Sequence, residues 1–217
     1  MRAVLLAGAL LCVGCFSLTS FQSPQALPPG STSVGGGLAA YWWVNYGSPL
    51  PEADFLFRYG LFKSVDVGGK VSLPLASVSA DAKWQFLNGP LLAALDVGGS
   101  YGRSPYMFDI SEEADYLTAY PQLIVGSDRI HASARVPIVH HIGYKYNDWR
   151  PDTTTNWYPQ LLVGGSFGDR LRVMPELSLT FGTGNRQSPR VLPGIGIAFR
   201  YGPGASTEQG LPWSPEP

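Results

Sequence analysis

The sequence predicts an all-β fold, an antiparallel up-and-down barrel of about ten strands, on three observations. Apolar and polar residues alternate with period two in ten separate runs between residues 31 and 202, and no window there keeps a helical period with caps. Most runs are nine to thirteen residues long; an ordinary globular strand averages ~5–6 and a tilted membrane-crossing strand needs ~9–11. The connections alternate between tight and long, so one end of the sheet carries short turns and the other long loops. Closure of an even number of such strands also removes the edges that amphipathic strands would otherwise expose.

The first fifteen residues precede the fold. Arg2 leads into an apolar stretch, 3–14, of signal-peptide length that is too short to span a bilayer comfortably. It ends at Val13-Gly14-Cys15, and small residues before a cysteine resemble a bacterial lipobox, in which that cysteine is lipidated and becomes the new N-terminus. Cys12 stands where that pattern usually has Leu. The expectation is a lipoprotein-type signal peptide over 1–14 with lipid on Cys15; a leader cleaved nearby, leaving the cysteine unmodified, is the other reading. Two cysteines three apart inside an apolar leader make neither a disulfide nor a metal site. Residues 15–30 read as an extended tether and 203–217, rich in Pro and Gly, as a disordered tail, which leaves 31–202 as the barrel domain.

The ten runs are 32–44, 53–62, 64–74, 78–87, 91–101, 114–125, 129–140, 155–167, 170–181 and 190–201. In the second, Phe55, Phe57, Tyr59 and Leu61 oppose Asp54 and Arg58; in the third, Val65, Val67, Val71 and Leu73 oppose Ser64, Asp66, Lys70 and Ser72. The fourth sets Val78, Ala80, Ala82, Trp84 and Phe86 against Ser79, Asp81, Lys83 and Gln85. In the ninth, Leu171, Val173, Leu177, Leu179 and Phe181 oppose Arg172, Met174, Glu176, Ser178 and Thr180. The tenth sets Val191, Ile195, Ile197, Phe199 and Tyr201 against Gly194, Gly196, Ala198 and Arg200. Tight turns fall at Lys63, Asn88-Gly89-Pro90, Gly126-Ser127-Asp128 and Gly168-Asp169. The opposite end carries 45–52, 75–77, 102–113, 141–154 and 182–189, of which only 75–77 is short. Pro121, Pro137, Pro159, Pro175 and Pro193 lie inside runs, where a closed barrel has no edge to excuse a missing N–H. Some therefore mark bulges or strand ends, and eight strands is the lower alternative.

A membrane barrel turns its apolar face to lipid and its polar face inward. The polar face carries Arg58, Lys70, Lys83, Arg135, Arg172 and Arg200 with Asp66, Asp81, Asp96 and Glu176, and these are the expected ion-pair formers of a largely plugged lumen. Apolar-face aromatics sit near predicted strand ends, as in interfacial girdles: Trp42, Phe55, Tyr101, Trp157 and Phe181 at one rim, Phe86, Phe167, Phe199 and Tyr201 at the other. Periodicity alone also fits a soluble sandwich or lipocalin-like barrel with the apolar face inward. Strand length, loop asymmetry, the leader and the aromatics favour the membrane. Balanced charge, 15 basic against 16 acidic residues, removes the basic footprint of a nucleic-acid binder.

The pattern resembles the small outer-membrane β-barrel proteins of Gram-negative bacteria. Three stretches carry the likeness: Val34-Gly35-Gly36-Gly37-Leu38; Phe57-Arg58-Tyr59-Gly60-Leu61 with Asp66-Val67-Gly68-Gly69-Lys70; and Gly196-Ile197-Ala198-Phe199-Arg200-Tyr201-Gly202, similar to an aromatic-ended final strand. The resemblance implies fold and compartment, with outer-membrane lipid as surroundings, not a reaction. Its members include anchors, porin-like pores, adhesins and a few enzymes.

The chain carries no P-loop, dinucleotide fingerprint, Gly-x-Ser-x-Gly or His-Glu-x-x-His, and no cofactor is expected. His140-His141 near Asp109, Glu112, Glu113 and Asp115 is loosely reminiscent of omptin proteases, but weakly cation-binding rim residues are the expectation and no enzyme is predicted. His131 alternates onto the lumen face beside Ser133 and Arg135. Tyr144, Tyr146, Trp149, Asn156 and Trp157 make the loop region 141–157 aromatic, and loops 102–113 and 141–154 are the candidate partner-binding elements. The role expected is structural or surface-interacting. A narrow small-solute channel and a soluble periplasmic lipoprotein barrel holding an apolar ligand are the alternatives.

Overall fold

A computed structural model describes residues 19–42, 49–73, 77–104, 114–144, 151–181 and 190–203. The expected leader, Cys15 and all but Pro203 of the expected tail lie outside them, as do Asp109, Glu112, Glu113, Tyr146 and Trp149.

Twelve strands follow in chain order: β1 (Thr32–Trp42), β2 (Pro49–Phe62), β3 (Val65–Leu73), β4 (Ser77–Leu87), β5 (Leu92–Ser104), β6 (Ala114–Gly126), β7 (Ile130–Arg135), β8 (Ile138–Tyr144), β9 (Pro151–Trp157), β10 (Gln160–Gly165), β11 (Leu171–Thr180) and β12 (Arg190–Tyr201). All pairings are antiparallel: β1 to β6 each pair with the next strand, and β6 pairs both β7 and β8. β7 pairs β10, β8 pairs β9, β10 to β12 pair in order, and β1 pairs β12, so the sheet closes on itself. The barrel has ten strands, because β7 with β8, and β9 with β10, are each one strand interrupted.

The interruptions are proline effects. β7 and β8 both pair with β6, on either side of Val136-Pro137; β9 and β10 pair with β8 and β7 on either side of Tyr158-Pro159. Register is kept, since two residues separate Gln122 from Ala119 and two separate Arg135 from Ile138. Pro137 and Pro159 lack an N–H, but their carbonyls accept from Tyr158 and Phe181 at 2.9 and 2.8 Å. Pro175 and Pro193 stay inside the β11–β12 ladder, facing outward. Prolines therefore split two strands without reducing the count to eight.

The strands also run further than the alternation suggested at the long-loop end. β2 starts at Pro49 rather than residue 53, β5 reaches Ser104, and β8 and β9 extend to Tyr144 and from Pro151. Backbone pairing thus takes up residues 102–104 of the expected loop 102–113 and both ends of 141–154, and leaves Phe55 mid-strand, opposite Gly36, instead of at a rim.

The two faces settle the orientation. Leu38, Phe57, Trp84, Val97, Leu123, Val163 and Ile197 are exposed, and large apolar side chains of this kind cover all ten barrel strands. Water does not sustain a continuous apolar belt of that size, and lipid does. Tyr101, Trp157, Phe86, Phe167, Phe199 and Tyr201 all point outward. The inside is mostly polar, with Asp66, Asp96, Gln122 and Gln160 fully buried. The chain is a membrane-spanning barrel of the outer-membrane type, and the inverted, lipocalin-like arrangement is ruled out.

Candidate functional site: the lumen and its inner segment

The lumen holds residues 19–30 of the chain itself. The expectation of an extended tether outside the barrel is corrected here: Thr19 to Pro24, Ala26 and Leu27 are buried. Nothing in this stretch is charged, so it enters a charged interior without adding an ion to desolvate. It runs from mid-lumen, where Thr19 meets Asp54 and Lys70, to the short-turn rim, where Gly30 donates to Gly60 at 2.9 Å and Ser31 continues into β1.

Lumen side chains satisfy the segment's backbone. Glu176 accepts from the N–H groups of Ser20 and Phe21 and from the Ser20 hydroxyl, each at 2.8 Å. Gln85 Oε1 accepts from the Ala26 N–H at 2.7 Å, and Asp66 from the Leu27 N–H at 2.9 Å. Lys83 Nζ donates to the carbonyls of Ser23 and Gln25 at 2.9 and 3.0 Å, and Lys70 Nζ to that of Thr19 at 2.7 Å. Side chains add Gln22 to Asp96 at 3.3 Å and Arg172 to Gln25 at 3.3 Å. Such charge-assisted bonds are about twice as strong as neutral ones.

One aromatic ring anchors the segment. Phe21 is 5% exposed and packs with Met174, Ala198 and Leu56. Its ring lies over Gly37, Gly194 and Gly196, where added Cβ atoms would come within 2.2, 3.0 and 2.9 Å of it. At Gly60 the segment passes so close that a Cβ would meet the Pro28 carbonyl at 2.1 Å. Glycine here makes room for a second layer of chain.

All ten expected ion-pair formers are on lumen-facing positions, but they do not form one ion-pair network. Arg58 bonds Asp66 and lies 2.7 Å from Asp81; Lys83 lies 3.3 Å from Asp66. Lys70 pairs at 3.7 Å with Asp54, whose carboxylate also takes the Ser72 hydroxyl. Asp96 and Glu176 instead accept from the inner segment. Arg135 donates to Gln160 at 2.9 Å and lies 4.8 Å from the centre of the Tyr120 ring. Arg172 holds Ser166 at 3.0 Å, while the Arg200 guanidinium has no hydrogen bond or ion pair among the described residues.

Asp54 and the segment's main partners were legible on the polar faces of their runs, yet Glu52 sat in an expected loop and the segment itself carried no periodic signal. The best hint was the coincidence of small residues, Gly37, Gly194, Gly196 and Ala198, on neighbouring inward positions. His131 is buried on the lumen face beside Ser133. The adjacent histidines separate: His140 contacts Thr155 at 2.9 Å on the outer face, whereas His141 tilts against the buried Tyr116. Strand alternation thus keeps the two rings from acting on one group, and no metal-binding cluster occurs among the described residues.

Neither protein-family models nor curated protein sequences match the chain. Among solved structures it is similar to the N-terminal β-barrel domain of Pseudomonas aeruginosa OprF, at 11% identity and TM-score 0.37, covering 81% of this chain and 100% of that one. It is similar to the outer-membrane protease OmpT of Escherichia coli at 8% identity and TM-score 0.43, over 84% and 100% of the two chains. An outer-membrane channel of Pseudomonas putida F1 gives 7% identity and TM-score 0.44, over 85% and 100%. The membrane assignment rests on this chain's own exterior.

Proposed function

We propose that this protein is an outer-membrane barrel, additionally anchored through a lipid on Cys15, whose lumen is plugged by its own N-terminal segment and whose role is structural or surface-interacting. The observation that supports a plug is the charged capping of the segment's backbone, from Thr19 to Leu27, by lumen side chains of three strands, β3, β4 and β11, with β2's Asp54 accepting from the Thr19 hydroxyl. A segment held that way is an architectural part, not a loose tether. Partner contact is assigned to the long-loop end, through the aromatic loop around Tyr146 and Trp149.

Planar-bilayer recording tests the plug. The wild type is expected to be silent and a variant lacking 19–27 to conduct steadily. Steady wild-type openings that vanish when Arg58 and Lys70 are neutralised would establish the narrow channel instead. Incorporation of a labelled fatty acid, lost in Cys15→Ser while the barrel stays in the alkali-resistant membrane fraction, tests the anchor.

A further inference from the structure

Beside the inner segment lies a lumen cavity of about 60 Å³. A buried water needs roughly 10–15 Å³ of such volume, so the cavity has room for a few waters or one small polyatomic ion. Its lining is one-sided in charge: Arg58, Lys70, Lys83, Arg135, Arg172 and Arg200 border it, against a single carboxylate, Asp81, already held by Arg58 at 2.7 Å. Of the other lumen carboxylates, Glu176 and Asp96 are turned to the inner segment, Asp54 to Ser72, Thr19 and Lys70, and Asp66 to Arg58, Lys83 and the Leu27 N–H.

Arg172 and Arg200 form no ion pair among the described residues. Arg172 is 8% exposed and spends two of its nitrogens on neutral oxygens, Ser166 Oγ and Gln25 Oε1, while its buried Nε has no partner. The guanidinium of Arg200, on the next inward position of the neighbouring strand, has no hydrogen bond among the described residues. Besides Asp66, the carboxylates that act on the pair are Asp128 and Asp169, both exposed in the short turns and open to solvent screening. A desolvated guanidinium left without an anion is strongly unfavourable, and water supplies hydrogen bonds but no charge. Guanidinium forks match the oxygens of phosphate and carboxylate.

We propose that Arg172 and Arg200, with the Ser166 hydroxyl, bind a small oxyanion of the phosphate class at the short-turn end of the lumen. The shared chemistry is a phosphate group, either free or as a lipid headgroup reaching in from the rim. The site does not depend on whether the lumen conducts.

The full-length protein, folded in a maltoside detergent free of phosphate, is titrated calorimetrically with inorganic phosphate at constant ionic strength. A second titration uses dihexanoyl phosphatidylglycerol without inorganic phosphate. Saturable one-to-one binding of inorganic phosphate is expected, weakened at least tenfold by Arg200→Gln and by Arg172→Gln and unchanged by Lys63→Gln in an exposed turn. Saturation by the lipid alone would assign the site to a headgroup. Saturation by neither, or equal binding by wild type and both arginine variants, overturns the proposal. If a variant fails to show the heat-dependent gel shift of a closed barrel, the wild-type urea midpoint decides. It must rise and saturate with phosphate over chloride, because a general salt effect rises without saturating.

Discussion

Replacing Gly37 by Ala adds one methyl group to the lumen wall and aims it at the Phe21 ring. The new Cβ would sit 2.2 Å from Phe21 Cε2 and 2.8 Å from two further ring atoms. The ring has little room to retreat, since Met174, Ala198 and Leu56 pack against it. Overpacking of this kind costs typically ~1–3 kcal/mol, and full ejection of the ring forfeits the ~3–5 kcal/mol of a buried Phe. The outcome expected is ~2–4 kcal/mol, drawn from docking of the inner segment and not from the strand ladder, which raises the undocked population about 30- to 1,000-fold at ~1.4 kcal/mol per decade. The assay is thiol labelling of Ser23→Cys in a Cys12→Ser, Cys15→Ser background. Ser23 is 6% exposed, so labelling reports undocking. A double-mutant cycle isolates the clash, because Gly37→Ala must cost little once Phe21→Ala has emptied the seat. Equal acceleration in both backgrounds would refute the reasoning.

Three further outcomes are expected. Lys83→Met removes the ammonium shared by Asp66 and the Ser23 and Gln25 carbonyls and so leaves a buried carboxylate and two acceptors short of a donor; a loss of ~3–5 kcal/mol in urea unfolding from vesicles is expected. Val97→Arg, on the lipid face in the middle of β5, should lose ~2–4 kcal/mol by the same assay, and Phe199→Arg, near a rim, ~0–1. Glu176→Gln takes the charge from the group that caps Ser20 and Phe21, and should speed Ser23→Cys labelling by roughly tenfold, the worth of a charged hydrogen bond at ~1.5–3 kcal/mol less what the amide oxygen retains.

The barrel was readable from residues because lipid and lumen impose the same alternation on every strand. The prolines looked like obstacles to it, and Pro137 and Pro159 do interrupt the ladder. Register survives because equal numbers of residues cross the break on both partners. The pairing inside was not readable. That Arg58 meets Asp66 and Asp81 while Arg200 forms no ion pair among the described residues depends on cross-strand register and on where a separate piece of chain lies. Residues 17–30 resemble a linker in composition because the feature that suits them to the lumen is the absence of charge. A pattern-based reading finds nothing periodic there to weigh. Only the glycines at 37, 194 and 196, small at inward positions where any side chain would meet the Phe21 ring, pointed to an occupant.

The inner segment behaves as a peptide ligand tethered to its own receptor. Its link to β1 through Gly30 and Ser31 confines it near the Phe21 seat, and a short connection of that kind corresponds to an effective concentration in the millimolar range. A standalone peptide with a dissociation constant of about 10 μM binds with only ~7 kcal/mol and would be mostly free at sub-micromolar dilution. The same contacts keep a covalently attached segment seated nearly all the time. One aromatic ring and a handful of charged hydrogen bonds therefore suffice here, and cutting the chain between Pro28 and Ser31 would turn a permanent fixture into a weakly held, exchangeable guest.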